Sequence, residues 1–254
     1  MYKMSGIDNF GNTCYVNSVV QLLRYTKPVV KPLVSVVPTK NGEPDEVLKS
    51  FLDLLYQGAD AKKFVNSLDS LGFTQIMQHD AHEFFMTMID KLYESVEPKN
   101  PFEGTFVSTL TCKNGHTSTS KEPFICLSIN GGIEEGVKKL AAKEVVECKC
   151  DHCNEKTMTR KLRIQPGDAI CFHMKRFDHT FRKLLYSVPV LKKWKGYKLV
   201  GMCNHFGSMH GGHYTSTVKT DEGWMVTNDE RVHKLDTLPS ESSLPYLMVY
   251  VRNK

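Results

Sequence analysis

The sequence predicts an α+β fold in one domain. Three observations carry that expectation. Apolar residues recur at helical spacing through the first hundred residues. From about Phe106 the pattern changes to short strand-type runs. No Pro/Gly/Ser-rich linker, internal repeat or low-complexity segment divides the 254 residues.

The helical stripes come first. Val16, Val19, Val20 and Leu23 follow Cys14 at helical spacing, and Val47, Phe51, Leu54 and Leu55 form a second stripe. Phe64, Val65, Leu68 and Leu71 suggest a third; Ala81, Phe84, Phe85, Met88, Ile89 and Leu92 give the clearest one. Strand-type runs follow at 106–111, 124–129, 157–164 and 169–174, with a short helix over 133–141 between them. The last third alternates strands with turn residues at 197–202, 213–218, 224–227 and 246–251.

Composition narrows the class. With 41% apolar and 24% charged residues the chain can bury a core without a disulfide scaffold. The start lacks an apolar signal region, and the longest apolar-leaning stretch, 29–37, is broken by Lys31, Pro32 and Ser35. The expectation is a protein that neither is secreted nor spans a membrane, cytoplasmic and/or nuclear. Eight cysteines without a secretion signal then read as thiols or metal ligands. The net charge of +5 is mild, and no Lys/Arg block carries interleaved aromatics, so a slightly basic enzyme is favoured over a nucleic-acid binder.

Cys14 opens the first helix after the turn Gly11-Asn12-Thr13. A helix N-terminus favours a thiolate, and no Asp or Glu lies between Asn9 and Gly42 to repel one. A small buried hydrophobe at a helix start reads equally well. Asn9 offers an amide donor for an oxyanion, or simply a turn. No histidine precedes His79, so a base for Cys14 must come from far along the chain. His213 is the best placed, opening a strand after Gly211-Gly212. The strand from Trp224 ends in Asn228-Asp229, a polar pair able to orient an imidazole, and equally a turn signal.

Together these boxes resemble the ubiquitin-specific protease family of papain-like deubiquitinases. Asn9, Gly11-Asn12-Thr13-Cys14-Tyr15 and Asn17-Ser18 look like its cysteine box, 205–216 like its histidine box, and 224–229 like the box that supplies its third catalytic residue. The resemblance runs from Gly6 to Tyr250. It implies a hand: a helical thumb over about 1–103, zinc-binding β fingers from parts of 104–165, and an antiparallel β palm over about 166–254. It implies Cys14 as nucleophile, His213 as base, Asn228 as its orienting partner with Asp229 assisting, and Asn9 as oxyanion donor. Gln78-His79-Asp80-Ala81 resembles the box whose acids face ubiquitin's basic tail. Gln78, Asp80 and Glu83, with Gly211, Gly212 and Tyr214, are therefore expected at the substrate. Asp80 and Glu83 also have capping-box spacing, which is sufficient by itself to explain them. Lys175-Arg176-Phe177 resembles a palm motif with a structural part.

Cys150 and Cys153 are spaced as half of a zinc site. The resemblance places the other half about forty residues earlier, where Cys112 and His116 stand in place of two cysteines. Cys148 or His152 are alternative ligands. The metal is expected to be structural Zn2+, with no catalytic cofactor. Cys126, Cys171 and Cys203 lie in apolar strand runs and read as packing residues. The expected partners are ubiquitin and ubiquitinated proteins, and neither nucleic acid nor membrane. The enzyme is expected to be a monomer, short for the family, whose substrate choice lies on its own surface or with a separate activating protein. A catalytically dead ubiquitin binder, an acyl-transfer enzyme for another modifier and a zinc-dependent interaction module are the alternatives.

Overall fold

A computed structural model describes residues 4–33, 39–40, 43–57, 60–94, 99–208 and 211–253. Part of the apolar-leaning stretch and two residues of the histidine box, Met209 and His210, lie outside them.

The four apolar stripes become α1 (Cys14–Arg24), α3 (Glu46–Gln57), α4 (Ala61–Ser67) and α5 (Ala81–Tyr93), with α2 (Lys27–Leu33) following α1. The third stripe is shorter than its spacing suggests. It tightens to a 3-10 turn over Leu68–Leu71, which Gly72 ends at φ 83°, a left-handed position suited to glycine. No helix of the described residues is long and apolar enough to cross a membrane.

Strands longer than two residues follow as β1 (Gly104–Cys112), β2 (Thr117–Phe124), β3 (Cys126–Ile129), β4 (Glu144–Glu147), β5 (Thr157–Gln165), β6 (Ala169–Met174), β7 (Tyr197–Gly207), β8 (Gly212–Thr220), β9 (Gly223–Asn228), β10 (Arg231–Leu235) and β11 (Pro245–Arg252). Helix α6 (Ile133–Leu140) lies between β3 and β4. The main sheet runs β10-β9-β8-β7-β11-β6-β3, with the two-residue strand Lys193–Trp194 also on β7. It is antiparallel except at its edge, where β3 pairs parallel with β6. A second, four-stranded sheet runs β2-β1-β5-β4, antiparallel throughout, and forms the fingers.

Both faces of the main sheet are covered, and alternation along its strands decides which core each residue joins. Ala169, Cys171, Leu247 and Val249 face the core shared with α1, α3 and α5. Ile170, Phe172, Met248 and Tyr250 face a second core with Trp194, Tyr197 and α6. Helix α1 is wedged into the first core and buried on every side from Cys14 to Leu23. Its buried amide groups donate to neighbouring segments, although Asn17 Oδ1 accepts from none of the described residues. Asn17 donates to Ile7 O, Asp8 O and Asp229 Oδ1, while Gln21 donates to Ser5 O. Arg176 is fully buried, donating to Pro245 O and Tyr186 O with its guanidinium 4.8 Å from the Tyr186 ring centroid. Its part is structural.

The fingers differ. β2 is exposed in all residues except Phe124, and the buried cluster near the tip contains only Cys112, Cys150 and Met158. So little apolar burial cannot hold strand ends together by itself.

Candidate active site

The turn before α1 is built around glycine and Asn12. Gly11 has φ 120°, and a Cβ there would meet Gln75 O at 2.8 Å. Asn12 binds the same loop, its backbone N–H on Gln75 O and its side chain on Ile76 O at 2.9 Å. Thr13 does not cap α1 with its side chain. Its hydroxyl donates to Asn9 Oδ1 and accepts from Phe10 N. The first N–H groups of the helix, at Cys14 and Tyr15, are left to face the Cys14 sulfur.

Cys14 is 4% exposed and packs against β8, where the backbone N–H of Tyr214 also meets its sulfur. Burial pushes the thiol above its ordinary range, and the nearby Asp229 carboxylate adds to this; the N–H groups of Tyr214, Tyr15 and Cys14 oppose it. Burial therefore works against the thiolate that the helix terminus favours. Desolvation outweighs the helix end.

His213 is the second residue of β8, immediately before Tyr214. Its Nε2 lies 2.7 Å from Asn228 Oδ1, the last residue of β9. Its Nδ1 has no hydrogen-bond partner among the described residues. An Nε2–H donated to Asn228 leaves Nδ1 as a base.

Asp229 sits at φ 51° and turns away from the histidine. Its Oδ2 accepts from Asn9 Nδ2 and its Oδ1 from Asn17 Nδ2, each at 2.8 Å. Asn9 Oδ1 in turn accepts from Gly11 N, Thr13 N and Thr13 Oγ1. One N–H of Asn9 remains for another acceptor. The sequence suggests Asp229 as the neighbour of Asn228 and an assistant to it; the fold joins its carboxylate to Asn9 and Asn17. A Cβ on Gly6 would meet Glu230 O at 2.2 Å, which shows how closely the chain before Asn9 passes the 229–230 turn.

The expected substrate residues fall into two groups. Gln78 and Gly212 bind each other: Gln78 Nε2 donates to Gly212 O and Gly212 N donates to Gln78 Oε1, both at 2.8 Å. This paired clamp joins the loop before α5 to the first residue of β8. Asp80 caps α5, its Oδ1 accepting from His82 N at 2.6 Å and its Oδ2 from the Tyr246 hydroxyl at 2.5 Å. Glu83 is exposed, and its carboxylate has no partner among the described residues. Tyr214 is buried beside the His205 ring, whose Nε2 would lie 2.2 Å from a Cβ on Gly212. Gly211 is exposed, with open space where its Cβ would stand.

Gln78→Ala removes two hydrogen bonds, each contributing about 1 kcal/mol. The expected result is a roughly tenfold lower kcat on a ubiquitin-derived substrate with a smaller change in KM. The reverse split would mean that Gln78 works on the substrate instead of on the His213 strand.

At the finger tip, Cys112, His116, Cys150 and Cys153 bring all four ligand atoms within 4.8 Å of one another, a group able to hold a metal ion. Cys112 Sγ lies 3.5 Å from His116 Nδ1 and 3.9 Å from Cys153 Sγ, and Cys150 Sγ lies 3.7 Å from His116 Nδ1. Tetrahedral zinc with bonds of about 2.3 Å to sulfur and about 2.0 Å to nitrogen needs edges of about 3.8 and 3.5 Å. The residues fit. Cys148 points to Lys149 O, and His152 stands beside the His116 ring at 5.4 Å; neither belongs to the four. Backbone donation at Glu155, with help from Asn114, holds the Cys153 thiol down at about 6.

The family model for ubiquitin carboxyl-terminal hydrolases matches residues 5–250. The chain belongs to that family. Among its relatives, ubiquitin carboxyl-terminal hydrolase 4 of Arabidopsis thaliana is 26% identical over 91% of this chain and 85% of its own length. Ubiquitin carboxyl-terminal hydrolase 23 of the same plant is 24% identical over 98% of this chain, which spans 36% of that protein. The hydrolase fold is shared with a SAGA Ubp8/Sgf11/Sus1/Sgf73 DUB module bound to ubiquitin aldehyde. That match has TM-score 0.81 and 22% identity, covering 99% of this chain and 70% of the other. A yeast SAGA DUB module with a mutant Sgf73 gives TM-score 0.79 at 22% identity, covering 99% and 69%.

Proposed function

We propose that the protein is a deubiquitinase, hydrolysing the isopeptide bond between the C-terminal glycine of ubiquitin and a lysine, or a related peptide or ester adduct, through an acyl-enzyme on Cys14. The observation that carries this reading is the His213–Asn228 pair at 2.7 Å, with His213 one residue from the N–H that meets the Cys14 sulfur. The names of the relatives and the ubiquitin aldehyde held by the similar module support ubiquitin as the acyl group.

In this reading His213 Nδ1 takes the Cys14 proton as the sulfur attacks the carbonyl, and returns it to the leaving amine. Asn228 fixes the ring so that Nδ1 faces the sulfur. The free N–H of Asn9 donates to the tetrahedral oxyanion, a contribution of about 3 kcal/mol. Water then hydrolyses the thioester with His213 again as base. Glu83 is assigned to the basic tail of ubiquitin, because Asp80 is engaged by α5 and Tyr246.

The test is fluorophore release from the C terminus of ubiquitin, compared with other ubiquitin-like modifiers. Release from ubiquitin is the expected result. Release from another modifier alone would change the substrate class, and ubiquitin binding without release from any would sink the enzyme assignment.

Zinc is proposed at Cys112, His116, Cys150 and Cys153. When bound it supplies a structural cross-link, since four protein ligands leave no open position. Cys153→Ser is expected to remove near-stoichiometric zinc and to speed amide exchange in β1 and β5. Well-folded, active protein containing no metal would end the zinc assignment.

A further inference from the structure

Cys126 and Cys171 are direct partners in the parallel pairing of β3 with β6. Neighbouring strands stand about 4.8 Å apart, inside the Cα window of a disulfide. As in-register partners their side chains lie on the same face of the sheet, close enough for each thiol to act on the other. Cys171 is fully buried, whereas Cys126 lies on the edge strand and is only partly buried.

The surroundings of Cys126 are polar, which packing alone does not require. The His82 ring lies beside Cys126, where its charge acts on the sulfur. On its other side it stacks on His173, with ring centroids 4.1 Å apart and planes at 13°. His173 is held by Ser128 at 2.9 Å through Nδ1 and meets the Tyr246 ring. Burial would raise the Cys126 thiol, but the hydrogen bonds from Cys171 and His82 and the positive charge of His82 prevail, bringing it down to about 6. His82 and Cys171 thus favour the ionised form of Cys126, whereas burial opposes it at Cys14.

We propose that Cys126 and Cys171 are a peroxide-reactive dithiol, activated by His82, that closes reversibly to a disulfide. The Cys126 thiolate attacks one oxygen of hydrogen peroxide. The O–O bond breaks, hydroxide leaves and takes a proton, and Cys126 becomes a sulfenic acid. The Cys171 thiol then attacks the Cys126 sulfur and water leaves. Two electrons pass to peroxide, giving two waters and one S–S bond. A dithiol reductant reverses the step. Closure removes the anionic sulfur from His82, which sits between Asp80 and Glu83, so the charge at the start of α5 follows the redox state.

The experiment uses the full chain carrying Cys14→Ala, which removes the proposed nucleophile and makes the outcome independent of the proposed deubiquitinase activity. Hydrogen peroxide is added at neutral pH, the remaining thiols are alkylated, and peptides are mapped by mass spectrometry. The expected product is a Cys126–Cys171 cross-linked peptide pair, with a loss of about 2 Da reversed by dithiothreitol. Cys171→Ser should leave a Cys126 sulfenic acid that dimedone captures. Cys126→Ser, at the more exposed position, should abolish the cross-link in protein whose circular dichroism is unchanged. His82→Asn should slow Cys126 oxidation about tenfold. Oxidation of the finger cysteines while Cys126 stays reduced would overturn the proposal, as would an unchanged rate in His82→Asn.

Discussion

Cys14→Ala protein is expected to release fluorophore from ubiquitin at least about 10⁴-fold more slowly than the wild type, because every covalent step passes through that sulfur. Binding should survive, since the alanine side chain fills most of the same buried site between α1 and β8. Calorimetry with ubiquitin and a turnover assay on one preparation separate the two effects. Hydrolysis at more than a few per cent of the wild-type rate would show that another group is the nucleophile. A second expectation concerns the resting thiol. Burial raises Cys14, so its alkylation by iodoacetamide should climb steadily with pH from 7 to 9. A plateau starting below pH 7 would instead mean that sulfur and imidazole already form an ion pair.

Asp229→Ala is expected to lower kcat by about 10²-fold with little change in KM, the signature of a lost transition-state contact. The carboxylate touches neither His213 nor Cys14. It holds Asn9 and Asn17, so its effect on chemistry passes through the Asn9 amide. Asn9→Ala should cost a similar factor, and the double variant little more than either alone, because both remove one device. Additive losses would separate the two residues. Asp229→Asn offers a test of opposite signs. Removing the charge relieves its repulsion of a Cys14 thiolate, so alkylation should quicken, while turnover falls as Asn9 loosens. If both rates fell together, Asp229 would be supporting the fold around Cys14 and not the Asn9 donor.

How much of this was legible follows from what each signal encodes. The stripe over 81–92 announced α5 because a helix packing one face on a core must repeat its apolar residues every three or four positions. The strands with alternating or wholly apolar runs, such as β6 and β11, were legible for the corresponding reason. Three of the longer strands were not anticipated. β2, β4 and β10 are largely exposed and have no consistent apolar face; hydrogen bonds to neighbouring strands define them instead. The parallel edge strand β3 was visible as a strand, but its direction depends on the α6 connection, which no local pattern records.

The chemistry of the site divides along the same line. Residue order alone named Cys14, His213, Asn228 and Asn9, and it named Cys112, His116, Cys150 and Cys153, because these side-chain types in these boxes carry the family pattern. Partnership was decided only in three dimensions. Asp229 went to Asn9 and not to the histidine, Gln78 went to Gly212, and Cys126 found Cys171 and His82. The burial that pushes the Cys14 thiol up was decided there as well. A helix terminus can be read along one segment, but desolvation depends on what every other segment packs around it.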